Sequence, residues 1–196
     1  RQKVTVKIPE AGVEKSVMTN ADGFVRFEFT ANLHLWSPED PKLYQVHIIA
    51  ETDELQDQIG FRSIETRGPD ILLNGKSIFL RGICLHEESP FPNQGRASRV
   101  DEADILLGWA KELNCNFVRL AHYPHNENMT RAADRLGLLV WAEIPVYWNM
   151  AWNNKATREN AKNQLTELIQ RDKNKTSVIL WSVSNETPVN LKERDL

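Results

Sequence analysis

The sequence has only two cysteines in 196 residues, Cys84 and Cys115. A pair this sparse makes no disulfide framework, and neither residue falls in a metal-ligand spacing. Both sit among apolar neighbours, in R-G-I-C-L and L-N-C-N-F, and are expected to be buried small hydrophobes. Positive charge is not in excess either: 24 Lys and Arg stand against 27 Asp and Glu, a net charge of −3. That balance lacks the basic footprint with which a chain holds nucleic acid or an anionic membrane, so neither is expected as a partner. No apolar run approaches the roughly 20 residues of a membrane-spanning helix. No leader is visible, because R-Q-K-V-T-V-K at 1–7 alternates like a strand already under way. The compartment is left open.

The chemical absences are as useful. No Gly-rich phosphate loop follows an apolar run, which weighs against a nucleotide-binding open sheet. There is no G-x-S-x-G elbow for a serine nucleophile and no H-E-x-x-H for zinc. His122 and His125 are three apart, with no third ligand at zinc spacing. No metal and no cofactor is therefore expected.

What is present falls into two halves with different rhythms. Up to about Arg67 the pattern has period two, in V-T-V-K-I at 4–8, F-V-R-F-E-F at 24–29, Y-Q-V-H-I-I-A at 44–50 and I-G-F-R-S-I at 59–64. Turn-formers separate these runs, as expected for antiparallel strands of a β-sandwich. Only four or five such runs occur, whereas a complete sandwich of this type needs about seven. Residues 1–67 are accordingly predicted to be an incomplete immunoglobulin-like sandwich.

From residue 68 onward a hairpin on Asn74-Gly75 leads into a different pattern. Short apolar strands are predicted at 79–85, 117–120, 138–142 and 178–183, with helices at 100–113, 126–136 and 157–173 between them. Ser98 with Asp101 offers a capping-box-like start to the first helix. Apolar strands alternating with amphipathic helices imply a parallel sheet covered by helices. The strand-to-helix links are long and the helix-to-strand links terse, as in a (β/α)8 barrel that builds its site at the strand carboxyl ends. Only four β/α units are present, so residues 68–196 are predicted to be the first half of a TIM barrel.

The carboxyl ends of those strands carry the polar residues. They offer His86 and Glu87, then Arg119, His122 and Tyr123, then Glu143, and finally Asn185 and Glu186. Such convergence on one rim points to a site. Each residue also has a plainer reading. His86 also reads as a core histidine with a backbone partner, Arg119 and Glu143 as a structural ion pair, and Asn185-Glu186 as the cap of a helix. Tyr147, Trp148 and Trp152 offer flat faces for sugar rings, or equally a hydrophobic lid. Carboxylate chemistry is what remains, and glycoside hydrolysis is its commonest use in a barrel mouth.

At this point the chain resembles glycoside hydrolase family 2. N-F-V-R-L-A-H-Y-P at 116–124 and V-I-L-W-S-V-S-N-E at 178–186 are similar to the two signatures of that family. R-G-I-C-L-H-E-E at 81–88 resembles its first barrel strand, and L-W-S-P-E-D-P-K-L-Y at 35–44 the end of its immunoglobulin-like domain. The resemblance implies a retaining exo-acting β-glycosidase of β-galactosidase or β-glucuronidase type. Glu186 is then the general acid/base, and Arg119 positions the nucleophile. The resemblance implies Asn185, His86 and His122 as substrate contacts; Tyr123 and Glu143 join them as candidate contacts from their places at the strand ends, and Trp148 as an aromatic face in the third loop. The family nucleophile is a glutamate on a later strand, outside this chain, and the family's N-terminal sugar-binding domain is also absent. Where some relatives carry a magnesium-binding carboxylate this chain has Tyr147, so magnesium is not expected. A carbohydrate is the expected partner, with homo-oligomerisation of the full-length enzyme. The isolated chain is expected to be inactive and, with open sheet edges, poorly stable. The alternative is a non-catalytic module that binds sugar or a subunit. Barrel cellulases and mannanases also end strand four on Asn-Glu, but the H-Y-P motif and the preceding sandwich favour family 2.

Overall fold

A computed structural model describes residues 1–188 of the chain. The first sheet is antiparallel, in the order β2-β1-β3-β4, from β1 (Lys3–Ile8), β2 (Val13–Met18), β3 (Tyr44–Ile49) and β4 (Glu54–Ile59). Ile8, Val13, Tyr44 and Val46 form its small core. The segment around Ala31 and Leu33 packs against that core without joining the sheet. The sandwich is thus present in part.

Two strands that the hydrophobic alternation did not announce, β2 and β4, are the two edges of this sheet. After Val13 every residue of β2 is exposed, and β4 reads E-L-Q-D-Q-I with no buried residue. Polar edges blunt sheet-to-sheet association and leave little period-two signal. Conversely, residues 24–29 alternate but form no strand. A strand needs a partner ladder, and here the chain is tied back by a turn on Asn20, whose Oδ1 accepts from the backbone N–H of Asp22 and Phe24. Residues 59–64 also fail as one strand, because Gly60 to Ser63 form the crossing between β4 and β5.

β5 (Ile64–Arg67), β6 (Asp70–Leu73) and β7 (Lys76–Ile78) make a three-stranded sheet, with Asn74 (φ 52°) and Gly75 (φ 77°) in the hairpin turn. The expected division after Arg67 falls at the turn between β5 and β6, inside this hydrogen-bonded sheet.

The third sheet is wholly parallel and in chain order: β8 (Gly82–Leu85), β9 (Phe117–Leu120), β10 (Leu139–Glu143) and β11 (Val178–Ser182). Between its strands lie α1 (Val100–Glu112), α2 (Glu127–Leu136) and α3 (Lys155–Asp172). Sequential parallel strands with intervening helices are the first half of a TIM barrel. Val118, Leu120, Val140 and Ala142 join Leu107, Ala110, Met129 and Leu138 in the main core. β8 starts at Gly82, because the Asn116 side chain occupies the backbone before it, accepting from Arg81 N (2.8 Å) and donating to Phe79 O (2.9 Å). The start of α1 is held by Glu102 rather than by Asp101. Its buried carboxylate accepts from the backbone N–H of Ser98 and Arg99, both at 2.9 Å. Cys115 is buried as expected, but Cys84, level with Arg119 on β9, is exposed.

The two halves are joined at Trp36, which is fully buried and donates Nε1–H to Asp134 O at 2.8 Å. Arg62 donates to Thr176 O (3.0 Å) and Val178 O (2.7 Å), and so ties the crossing segment to the start of β11. Asp57 on β4 pairs with Arg131 (2.5 Å) and Lys175 (3.4 Å), both of which also meet Glu127. Gly137 ends α2 with φ 70°, and a Cβ there would lie 2.4 Å from Pro38 O.

Two buried groups couple this packing to pH. Burial lowers His125 to a pKa of about 4, and burial raises Asp134 to about 6 despite the N–H of Ser177 on its carboxylate (2.7 Å). Neutral His125 contributes stability above pH 6.5 that is lost as the pH falls toward 4, where the unfolded chain takes the proton more readily. Asp134 works in the opposite sense, its contribution being lost as the pH rises from 3.8 through 6.

Two outcomes are expected of the gene product. Gly137→Ala, strained in φ and blocked by the Pro38 backbone, should cost more than about 1 kcal/mol in denaturant unfolding. His125→Gln keeps a donor for Ala121 O but does not titrate. The stability advantage of wild type over this variant should shrink by on the order of 3 kcal/mol between pH 7 and 4. A constant difference would mean that His125 is not held neutral.

Candidate active site

The four parallel strands deliver their polar residues to one end of the half-barrel. β9 places Arg119 level with Trp141 on β10, and its guanidinium lies 4.7 Å from that indole ring. From this platform Arg119 reaches Glu143 at the end of β10. Nε donates to Oε2 at 3.0 Å, and Nη2 donates to Oε2 at 2.8 Å and Oε1 at 3.1 Å. The Glu143 side chain has no exposed surface at all. A buried carboxylate is tolerated only when paired and fully hydrogen-bonded, and Arg119 meets that need.

The same guanidinium donates through Nη2 to Asn185 Oδ1 at 2.7 Å. Arg119 is a donor only, so this bond fixes which way the amide faces and leaves the Nδ2 hydrogens for a ligand. His122 sits with Nδ1 2.6 Å from Glu143 Oε1, so Nδ1 carries a proton and Nε2 is the nitrogen left over. The 3.3 Å approach of Arg119 Nη2 to the same Nδ1 is then a contact of two donors sharing one carboxylate.

A second cluster holds the β8 rim. Glu87, 2% exposed, accepts from Arg96 Nε (2.7 Å) and from the backbone N–H of Asn126. Its own N–H donates to Tyr123 Oη at 3.2 Å. Arg96 covers the Tyr123 ring at 4.6 Å, and Tyr123 stacks on His125 at 5.2 Å. Tyr123 Oη is 3.4 Å from His86 Nδ1, and the His86 and His122 rings meet edge to face at 5.3 Å.

These groups border an open cleft of about 380 Å³, lined by His86, His122, Tyr123, Tyr147, Trp148, Asn185 and Glu186. Glu186, with φ 49°, receives the Trp148 indole N–H on Oε2 at 3.0 Å. Of the eight residues expected at the site, six line the cleft, while Arg119 and Glu143 lie behind it and grip Asn185 and His122. Trp152 packs against the main core instead of the cleft. Sequence reasoning missed Trp141, the platform under Arg119, and the Glu87–Arg96 pair behind Tyr123. Glu87 was visible in the sequence as a strand-end carboxylate, but its burial, which creates the need for Arg96, was not. Among the described residues no group of three or more His, Cys, Asp or Glu side chains is arranged to hold a metal ion. No helix among them is long and apolar enough to cross a membrane.

A carboxylate, two imidazoles, an oriented amide and exposed aromatic faces around one open cleft suit a polyhydroxylated ligand. A β-glucuronidase from Paenibacillus borealis is 32% identical over 203 residues, covering 94% of this chain and 33% of that protein. A β-galactosidase from Thermoanaerobacterium thermosulfurigenes is 34% identical over 156 residues, covering 78% of this chain and 21% of the relative. In structure, the β-galacturonidase of Eisenbergiella tayi bound to galacturonate superposes with a TM-score of 0.78 at 28% identity, over 95% of this chain and 34% of the other. The chain thus spans about a third or less of each of these proteins. The description "Glycosyl hydrolases family 2, TIM barrel domain" matches residues 64–196, and "Glycosyl hydrolases family 2" matches residues 2–62. With these matches covering both the partial sandwich and the half-barrel, the chain belongs to glycosyl hydrolase family 2.

Proposed function

We propose that the chain carries the acid/base half of a retaining, exo-acting β-glycosidase site, with a β-galactoside, β-glucuronide or similar uronide as substrate. The relatives named β-glucuronidase and β-galactosidase support that range. Residues 1–67 act as scaffold and residues 68–196 as the catalytic half-barrel. The observation that carries the reading is Glu186 standing in the cleft beside Asn185, whose amide is turned by Arg119.

In this reading protonated Glu186 gives its proton to the glycosidic oxygen as the bond to the anomeric carbon breaks. A carboxylate from outside this chain forms a bond to that carbon. Glu186, now ionised, takes a proton from water as the water attacks the same carbon, and the carboxylate leaves. Asn185 donates from Nδ2 to a hydroxyl of the bound sugar, and His86, His122 and Tyr123 contact other hydroxyls. Glu143 touches no substrate in this scheme. It anchors Arg119 and His122, which in turn hold the groups that do. With the nucleophile supplied from elsewhere, residues 1–196 alone hydrolyse nothing.

Glu186→Gln in the full-length gene product tests the assignment on a panel of β-glycosides. With sugar or alkyl leaving groups kcat/KM should fall by about 10²–10⁴-fold, the usual worth of a general acid. With a 2,4-dinitrophenyl leaving group, which departs without protonation, kcat/KM should stay within about tenfold. Equal losses on both classes would remove Glu186 from the acid role.

A further inference from the structure

One feature of the cleft is unexplained by a simple sugar-binding platform. Trp148 is 63% exposed, yet it takes a left-handed backbone conformation (φ 56°) that bulky residues rarely adopt. Glu186 does the same (φ 49°), and these two unusual residues are joined by the indole Nε1–H to Oε2 bond of 3.0 Å. Their loops are zipped together just before that point. Asn185 N–H donates to Val146 O at 2.7 Å, Trp148 N–H donates to Asn185 O at 3.2 Å, and Tyr147 pairs with Asn185 in a short parallel bridge. Tyr147 meets the Trp148 ring edge to face at 5.4 Å and so buttresses it. A hydrophobic lid would need the ring but not an N–H aimed at a carboxyl.

Resting on the acid/base reading of Glu186, we infer that Trp148 is a positioning residue. Its indole N–H sets the rotation of the Glu186 carboxyl, so that Oε1 carries the transferred proton, and its exposed face walls the leaving-group side. The chemistry of indole suits this task. Its nitrogen donates and never accepts, so it binds Oε2 whether Glu186 is protonated or ionised, and it cannot take the proton itself. The contact therefore persists through both halves of the reaction. Because Glu186 protonates the departing oxygen, a ring bonded to Glu186 borders what departs. The leaving group that fits is a sugar or planar ring able to lie against an indole face.

Trp148→Phe in the full-length gene product separates the N–H from the ring, and the exposed position leaves the core intact. With a ring-bearing sugar leaving group, kcat is expected to fall about tenfold, the lower end for a hydrogen bond to a charged group. KM should stay within about twofold, because the ring face is kept. With a 2,4-dinitrophenyl glycoside, kcat/KM should fall clearly less than with the sugar leaving group, since that step uses no acid. Trp148→Ala should add a rise in KM for the sugar leaving group. Equal losses of Trp148→Phe on both substrates, or no loss on either, would overturn the inference. Glu186→Gln measured alongside separates the two claims. If Glu186→Gln shows the leaving-group dependence and Trp148→Phe does not, only the role of Trp148 falls. If Glu186→Gln shows none, both fall together.

Discussion

A carboxylate with no exposed surface, Glu143, is the constraint around which the strand ends are arranged. Buried in the half-barrel, it demands a cation, and Arg119 supplies one through two nitrogens. Once the guanidinium is held there, its remaining contacts are dictated. It lies against the Trp141 ring and presents Nη2 to Asn185. The carboxylate also accepts from His122 Nδ1, so one buried charge at the end of β10 orients an arginine and an imidazole from β9 and its following loop and, through the arginine, an amide just after β11. Removing either partner of such a pair would strand the other without water, which costs far more than the pair itself contributes. The rim side chains are therefore held in place by one another rather than by a ligand.

The second support is mechanical. The partial sandwich meets the half-barrel at Trp36, Arg62 and the Asp57 ion pairs, and nearly all of these contacts fall on α2 and the start of β11. Both elements lead to the cleft: α2 follows the loop of Tyr123 and His125, and β11 ends just before Asn185 and Glu186. Trp36 spends its only polar atom on the Asp134 carbonyl, and the Asp134 side chain caps the backbone of Ser177. A small antiparallel sheet thus braces the strand that carries the proposed acid.

Legibility of the fold tracked burial. Most of the parallel strands and helices were readable because they bury an apolar face, β8 and α3 less completely than the rest, and the Asn74-Gly75 hairpin because its turn demands those residues. The polar edge strands β2 and β4 were not readable, since they are defined by ladder hydrogen bonds that carry no side-chain pattern. Residues 24–29 erred in the other direction: they alternate, yet no neighbouring strand completes them. At α1 the cap passed from Asp101 to Glu102, whose carboxylate reaches two backbone N–H groups at once.

The sequence by itself determined the order of the two halves, the parallel character of the second and the set of polar residues at its strand ends. Strand position decides those, because alternate side chains and strand termini have only a few directions open to them. Only the tertiary structure decided which of the residues face the cleft. Arg119 and Glu143, which the sequence left open between a structural ion pair and a place in the site, lie behind His122 and Asn185 and bond to them. Trp148 and Trp152 are four residues apart in one loop, yet one meets Glu186 and the other packs against the main core. Nothing in their chemistry separates the two tryptophans. The difference arises from the bridge between the loops after β10 and β11, a contact between segments nearly forty residues apart that no local pattern encodes.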